Sequence, residues 1–239
     1  MIDIHSHVLF DIDDGAEDLD TSVDMCIDAY ENGCRTLILT PHFIDYKSLH
    51  YFLDDRNERI QILRRVLSAE KIRLEILAGA ELFLSDKIFK APDLNDLTIN
   101  GTRYMLCEMP LGPFNTRHMT RWFEELFDRG YTPILAHPER YYEFHQDYSL
   151  VDDLINLGVL FQVNLDSLIG ANGPEAQGMG IDMVYRGFAQ FIASDAHDLI
   201  YRHTRLLEKL DYLPDEIDEN IIEKCLKTNP EKLIKNQPI

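Results

Sequence analysis

Seven short apolar runs punctuate this chain, and six of them end on a histidine or a carboxylate. The first lies in Met1-Ile2-Asp3-Ile4-His5-Ser6-His7, where Ile2 and Ile4 alternate with polar residues as in a β-strand. Strand residues two apart point to the same side, so His5 and His7 can reach one point in space. The later runs are 35–40, leading to His42; 74–80, leading to Glu81; and 104–107, leading to Glu108. They continue with 132–136, leading to His137; 159–163, leading to Asn164; and 191–193, leading to Asp195 and His197.

Between the runs, apolar residues recur at helical spacing. This predicts helices over 19–32, 54–70, 117–129, 150–157, 181–187 and 202–236, the last interrupted at Pro214 and Pro230. Residues 82–103 and 170–180 carry Pro, Asn and Gly turn signals and read as irregular. Strands that alternate with helices must run parallel, because each crossover returns the chain to the same end of the sheet. The expected fold is therefore α/β: a distorted (β/α)7 barrel of TIM-like type, spanning 1–239 as one domain. The C-terminal ends of barrel strands converge on one mouth, which is where the histidines and carboxylates fall.

Any one of these residues is ordinarily a helix cap, a turn or a solvated charge. Five histidines and three carboxylates phased to strand exits are not a chance arrangement, whereas His50, His118, His145 and His203 lie off the exits and carry no such meaning. The donor set exceeds what one ion takes, since a catalytic zinc site uses about three protein ligands. Two or three divalent ions are implied. Mixed imidazole and carboxylate donors suit manganese, iron, zinc or cobalt over magnesium or calcium. Asp14, just past the first strand, is a further candidate ligand, and equally a turn aspartate.

Net charge is −19, from 23 basic and 42 acidic residues, a surface that repels nucleic acid and anionic membranes. No apolar run is long enough to span a bilayer and no targeting segment opens the chain, so a cytoplasmic protein that is not membrane-inserted is expected. The cysteines, Cys26, Cys34, Cys107 and Cys225, form no C-x-x-C pair and read as reduced thiols. They also exclude a cysteine phosphatase. Six residues after them stand Asn32, Thr40, Pro113 and Glu231, none of them the arginine that Cys-x5-Arg requires.

The motifs His5-Ser6-His7, Asp13-Asp14-Gly15-Ala16, Thr40-Pro41-His42, Gly79-Ala80-Glu81, His137-Pro138-Glu139-Arg140 and Ser194-Asp195-Ala196-His197 resemble the polymerase-and-histidinol-phosphatase (PHP) superfamily. More closely, they look like its bacterial tyrosine-protein phosphatases of capsule and exopolysaccharide operons. The resemblance covers nearly the whole chain. It implies a three-metal site, manganese foremost, with His5, His7, Glu81 and Asp195 on one ion. Glu81, Glu108 and His137 would hold a second ion, and Asp14, His42 and His197 a third. Arg140 and Arg202 would grip phosphate. The partner implied is a phosphotyrosine-bearing protein, a bacterial tyrosine autokinase whose tail controls polysaccharide export. Assembly into oligomers stays open. The chain departs from the pattern at Phe10-Asp11, where Pro-Gly is expected, and across 198–204, which lacks the expected prolines.

Three divalent ions against four carboxylates leave about +2 in the pocket, matched to a phosphate dianion. A metal-activated water attacking phosphorus in line is the expected chemistry. Arginine forks would neutralise the equatorial oxygens. Three rivals are open at this stage. A PHP-fold enzyme could act on a small molecule such as histidinol phosphate. Val8-Leu9-Phe10-Asp11-Ile12-Asp13 resembles the Asp-x-Asp motif of haloacid-dehalogenase phosphatases, with Asp11 as nucleophile. A non-catalytic metal-holding regulator is the third.

Overall fold

All the expected strands form, all parallel, and two of them are broken in the middle. The computed structural model describes residues 1–214 and 217–239. Its strands are β1 (Ile2–Asp3), β2 (Thr36–Leu39), β3 (His42–Phe43), β4 (Glu75–Ala78), β5 (Glu81–Phe83), β6 (Tyr104–Glu108), β7 (Thr132–Ala136), β8 (Leu160–Asn164) and β9 (Phe191–Ala193). They pair in the orders β1-β2-β4 and β3-β5-β6-β7-β8-β9. β2 and β3 are two pieces of one strand, parted at Thr40-Pro41. β4 and β5 are likewise parted, at Gly79-Ala80. Seven strand positions result, and the ring closes where the Asp195 N–H donates to the His5 carbonyl at 2.9 Å and the His7 N–H to the Ala196 carbonyl at 2.8 Å.

The two breaks have local causes. Pro41 has no N–H to give to a ladder. A Cβ at Gly79 would lie 3.2 Å from the Cγ2 atoms of both Ile38 and Thr40, so this close approach of backbones favours glycine. Across the break the Gly79 N–H still donates to Leu39 and the Glu81 N–H to Pro41. The Gly79 carbonyl, which the broken ladder leaves free, accepts from the buried Arg56 guanidinium at 2.9 Å. The second pieces restart in register, His42 opposite Glu81.

Inside the ring, Ile4, Ile38, Leu106, Ile134, Ala136, Phe191 and Ala193 form a buried apolar layer that Leu233 of the C-terminal helix closes from below. Outside it, two larger clusters join strands to helices. Burial of each large aliphatic side chain contributes roughly 1.5–3 kcal/mol, so the interior is a packed support for the mouth and not a channel.

Short helices at Tyr142–Gln146 and Leu165–Leu168 were not expected, and three longer stretches also depart from expectation. The second of the expected helices begins at Leu49 rather than 54, continuing a short turn at Tyr46–Ser48. Most of the 170–180 stretch, read as a loop for its glycines, is a helix from Pro174 to Tyr185. Pro174 starts it at a position where a missing N–H costs nothing, and Gly180 is packed so tightly that a Cβ there would lie 3.2 Å from Leu168 and 3.3 Å from Val163. Of 202–236, expected to be helical, Leu206–Leu210 and Glu219–Ile234 are, with a wide turn at Lys224–Thr228 leading into Pro230. Residues 202–205 are not helical. Residues 215 and 216 lie outside those described. No helix among the described residues is long and apolar enough to cross a membrane.

Candidate metal centre

His5 and His7 leave β1 as neighbours on one face, and their Nε2 atoms stand 3.1 Å apart. Each is 3.2 Å from Oε2 of Glu81, delivered by β5, and 3.4 and 3.5 Å respectively from Oδ1 of Asp195. On their far sides both rings are committed. His5 Nδ1 lies 2.7 Å from Oε1 of Gln162, and His7 Nδ1 lies 2.7 Å from Oδ2 of Asp13. With Nδ1 donating on each ring, the two Nε2 atoms of neutral imidazoles present lone pairs to each other and to Glu81. Such an arrangement is repulsive unless a proton or a cation sits among them.

The remaining expected residues converge on the same place. His42 Nδ1 approaches Glu81 Oε2 at 3.1 Å and Glu108 Oε1 at 2.9 Å, while its Nε2 faces Asp14 Oδ1 at 3.5 Å. His197 Nε2 meets the same Asp14 oxygen at 3.5 Å. His137 Nε2 lies 3.1 Å from Glu81 Oε1. Three overlapping donor groups result, each with its atoms within 4.8 Å of one another: His5, His7 and Glu81; His42, Glu81 and Glu108; and His7, Asp14, His42 and His197. His7 and His42 each span two groups, whereas the family resemblance assigned each to one, and His137 and Asp195, which it also placed on ions, belong to none of the three. Of the five buried side-chain polar atoms without a hydrogen-bond partner among the described residues, three belong to this cluster, His42 Nδ1, Glu81 Oε2 and His137 Nδ1. Orphaned acceptors among imidazoles, nearly all buried, fit a cluster of divalent cations.

Two ligands are aimed by backbone strain. His137 (φ 37°) and Asp195 (φ 51°) are non-glycine residues in the left-handed region, at the exits of β7 and β9. That conformation costs about 1–3 kcal/mol per residue and turns the chain sharply at the mouth.

Charge inside the site is tightly coupled. Burial opposes ionisation of every group. In His5 the Glu81 and Asp195 carboxylates outweigh it and raise the pKa. In His7 the adjacent Asp13 and Glu81 carboxylates do the same more strongly, and in His42 the neighbouring Glu108 carboxylate does so. Against the same burial, His5 and His137 hold Glu81 well below the carboxylate range, and His5 with Arg202 holds Asp195 low. Burial and the neighbouring His7 charge push His197 down to about 3.

Arg140 and Arg202 both reach Oδ2 of Asp195, at 3.2 and 2.6 Å, from the partly exposed mouth. Both side chains keep partial exposure, 24% for Arg140 and 36% for Arg202.

Sequence reading missed a supporting layer. Gln162 Nε2 donates to Asn164 Oδ1 at 2.8 Å, and Asn164 Nδ2 donates to Asp195 Oδ2 at 2.7 Å. Glu139, wholly buried, accepts from the Asn164 N–H and from Ser167 Oγ. β8, the one exit without a candidate ligand, therefore supplies the amides that hold His5 and Asp195, candidate ligands delivered by β1 and β9. A glutamine amid the apolar residues of a barrel strand was the available signal. For Asp13 the signal was its place six residues after His7 in an Asp-Asp-Gly turn.

The other histidines stay apart. His50 pairs with Asp54 on the surface, His118 lies near Asp86, and His145 bonds the Glu139 carbonyl. Asp11 is exposed and paired with Arg59, so it does not occupy a strand-end nucleophile position. Among the aromatic residues near the mouth, Tyr141 and Phe144 are core, while Tyr51 and Tyr142 are exposed. The four cysteines are free and buried, and burial pushes Cys34 and Cys225 up to about 12, so neither is a ready thiolate.

The comparisons with known proteins are uniform. The family model for capsular polysaccharide synthesis proteins, CpsB/CapC, matches residues 1–235. The chain is 33% identical to tyrosine-protein phosphatase YwqE of Bacillus subtilis (strain 168), over all of this chain and 93% of that protein. It is 26% identical to tyrosine-protein phosphatase CpsB of Streptococcus pneumoniae over the full length of both. It superposes with a TM-score of 0.87, at 33% identity, on a crystal structure from the pair YwqE of Bacillus subtilis and CpsB of Streptococcus pneumoniae, metal-dependent tyrosine phosphatases. That match covers 100% of this chain and 96% of the other. The lactonase Lmo2620 of Listeria monocytogenes shares the fold alone, at a TM-score of 0.60 and 11% identity.

Proposed function

Because this chain belongs to the CpsB/CapC family of capsular polysaccharide synthesis, we propose that it is a metal-dependent phosphatase that hydrolyses phosphotyrosine on a protein. The observation that carries the metal dependence is the pair of Nε2 atoms of His5 and His7, 3.1 Å apart and turned on the orphaned Oε2 of Glu81. Two or three divalent cations, manganese foremost, are held by His5, His7, Asp14, His42, Glu81, Glu108, His137, Asp195 and His197. When bound, such cations lower the pKa of a coordinated water toward neutrality and neutralise phosphate charge.

The protein's own groups do the rest. Arg140 and Arg202 bind the phosphate oxygens and fix its orientation, a planar fork matching two oxygens at once. Asp195 holds both guanidinium groups in place from within. The Gln162 and Asn164 amides keep His5 and Asp195 turned inward. A tyrosine leaving group, with a parent pKa of about 10, departs without the full help an alkoxide needs. The substrate we assign is the phosphorylated tail of a bacterial tyrosine autokinase, in keeping with the family's part in capsule synthesis.

The test is elemental analysis joined to a phosphotyrosine-peptide assay of the wild type and His137→Ala. We expect metal content and turnover to fall together, with kcat down at least a hundredfold. Full metal content with wild-type turnover in the variant would refute the site. Turnover of histidinol phosphate in place of the peptide would refute the substrate.

A further inference from the structure

Next to the mouth lies a groove of about 440 Å³ lined by lysines 47, 87 and 90, by Ile44, Tyr46 and Phe83, and by Asp45 and Ser85. Its position follows from the broken strands. His42 pairs with Glu81 and Phe43 with Leu82; Ile44 is the first residue past β3, and Phe83 ends β5 two residues from Glu81 and on its face. The groove is thus one strand step, about 6–7 Å, beyond two candidate metal ligands.

Its charge is out of keeping with the rest of the molecule. The chain carries −19 overall and has only nine lysines, three of which line this one groove. Among the described residues, Lys209, Lys227 and Lys235 pair with carboxylates at salt-bridge distance, whereas Lys47, Lys87 and Lys90, like the scattered Lys71, Lys224 and Lys232, pair with none. All three are exposed. The one carboxylate in the lining, Asp45, caps the turn that follows it, its Oδ1 accepting from the Lys47 N–H at 3.1 Å. Ile44, 60% exposed, and the half-buried Tyr46 and Phe83 give the floor an apolar character suited to a peptide stem.

We propose that this groove docks an acidic flank of the phosphotyrosine-bearing peptide, with Lys47, Lys87 and Lys90 receiving Asp or Glu side chains close in sequence to the scissile phosphotyrosine. The inference deepens the phosphatase reading above and rests on it. An otherwise acidic surface repels an acidic peptide, so a local cluster of unpaired lysines decides where such a peptide can settle. Exposed charge pairs are individually weak, and three acting together correspond to about tenfold in KM.

The experiment compares two phosphotyrosine peptides, one flanked by Asp and Glu and one flanked by Gln and Ser, together with p-nitrophenyl phosphate. Each is assayed with the manganese-loaded full-length protein and with a Lys47→Gln/Lys87→Gln/Lys90→Gln variant. We expect the wild type to show about tenfold lower KM for the acidic peptide at similar kcat. The advantage shrinks as salt is raised toward 1 M, where the screening length is about 3 Å. The variant loses that advantage and keeps wild-type kinetics on the neutral peptide and on p-nitrophenyl phosphate. Equal KM values for both peptides in the wild type, or a preference that survives in the variant, would overturn the groove while leaving the phosphatase reading intact. Failure of the wild type to hydrolyse any of the three would overturn both.

Discussion

Single side chains in this molecule are held by partners that leave them one orientation each. The Gln162 amide is an example, because its direction is dictated at both ends. If Oε1 accepts from His5 Nδ1–H, then Nε2 must donate to Asn164, whose Nδ2 in turn donates to Asp195. Gln162→Leu removes the constraint on the His5 tautomer without touching a ligand. We expect a 10- to 100-fold loss of manganese affinity in a calorimetric titration, the usual scale for groups that orient metal-binding residues. The imidazoles also set a pH dependence. His5, His7 and His42 have pKa values raised above the ordinary 6.5, so in the metal-free protein they hold protons more tightly than the unfolded chain does. That contribution to stability is complete below about 6.5 and disappears as pH rises through the raised values. A cation needs the same lone pairs, so its affinity runs the other way and falls as pH drops through that window. Manganese binding at pH 7 is expected to release protons, read with a pH indicator in weak buffer. No proton release would contradict the assignment of these rings as ligands.

At the scale of elements, the broken strands matter most. A regular seven-stranded barrel would end where β2 and β4 end. Here Pro41 and Gly79 part the ladder, and the restarted pieces carry His42 and Glu81 into the centre in register. Arg56 pays the local cost by taking the free Gly79 carbonyl, while a second Arg56 bond reaches the Asp96 carbonyl. Arg56→Met leaves the buried Gly79 carbonyl without its donor, and a loss of about 1–3 kcal/mol is expected in urea unfolding. The loop after β1 is equally constrained. A Cβ at Gly15 would lie 1.9 Å from the His7 carbonyl oxygen, and the Ala16 N–H donates to that same oxygen at 3.1 Å. Gly15→Ala must therefore displace Asp13 and Asp14 together, and we expect metal content to fall while far-UV circular dichroism stays unchanged. Helix boundaries were legible where caps were explicit, as at Asp18, which accepts from the Thr21 N–H at 2.8 Å, and at Gly33 with φ +83°. They were misread at 174–185, where glycines serve close packing and not a turn.

For the whole molecule, the candidate site joins β1, β3, β5, β6, β7 and β9, so a cation that bridges these segments should stiffen the barrel as a unit. Binding only the folded state stabilises by about 2.7 kcal/mol at a hundredfold excess over Kd. Treatment with a chelator is expected to lower Tm by several degrees and to abolish turnover, and manganese should restore both. An unchanged Tm would argue against a cluster shared among strands. The acidic surface and the sharply local basic features, two arginines at the mouth and three lysines in the groove beside it, place attraction for an anionic peptide on one side of the barrel.

The sequence by itself determined that strands and helices alternate and that ligand-type residues stand at strand exits. Both properties are written in local periodicity, two residues for strands and about 3.6 for helices, and need no long-range information. Among the candidate ligands it offered are the residues of the three donor groups that the fold draws together. Only the tertiary structure decided that His42 faces two donor groups at once, that Asp13, Gln162 and Asn164 orient the ligands, and that three lysines from two loops meet in one groove. Those facts depend on which residues far apart in the chain become neighbours. Closing the ring decides that neighbourhood, and no short stretch of residues encodes it.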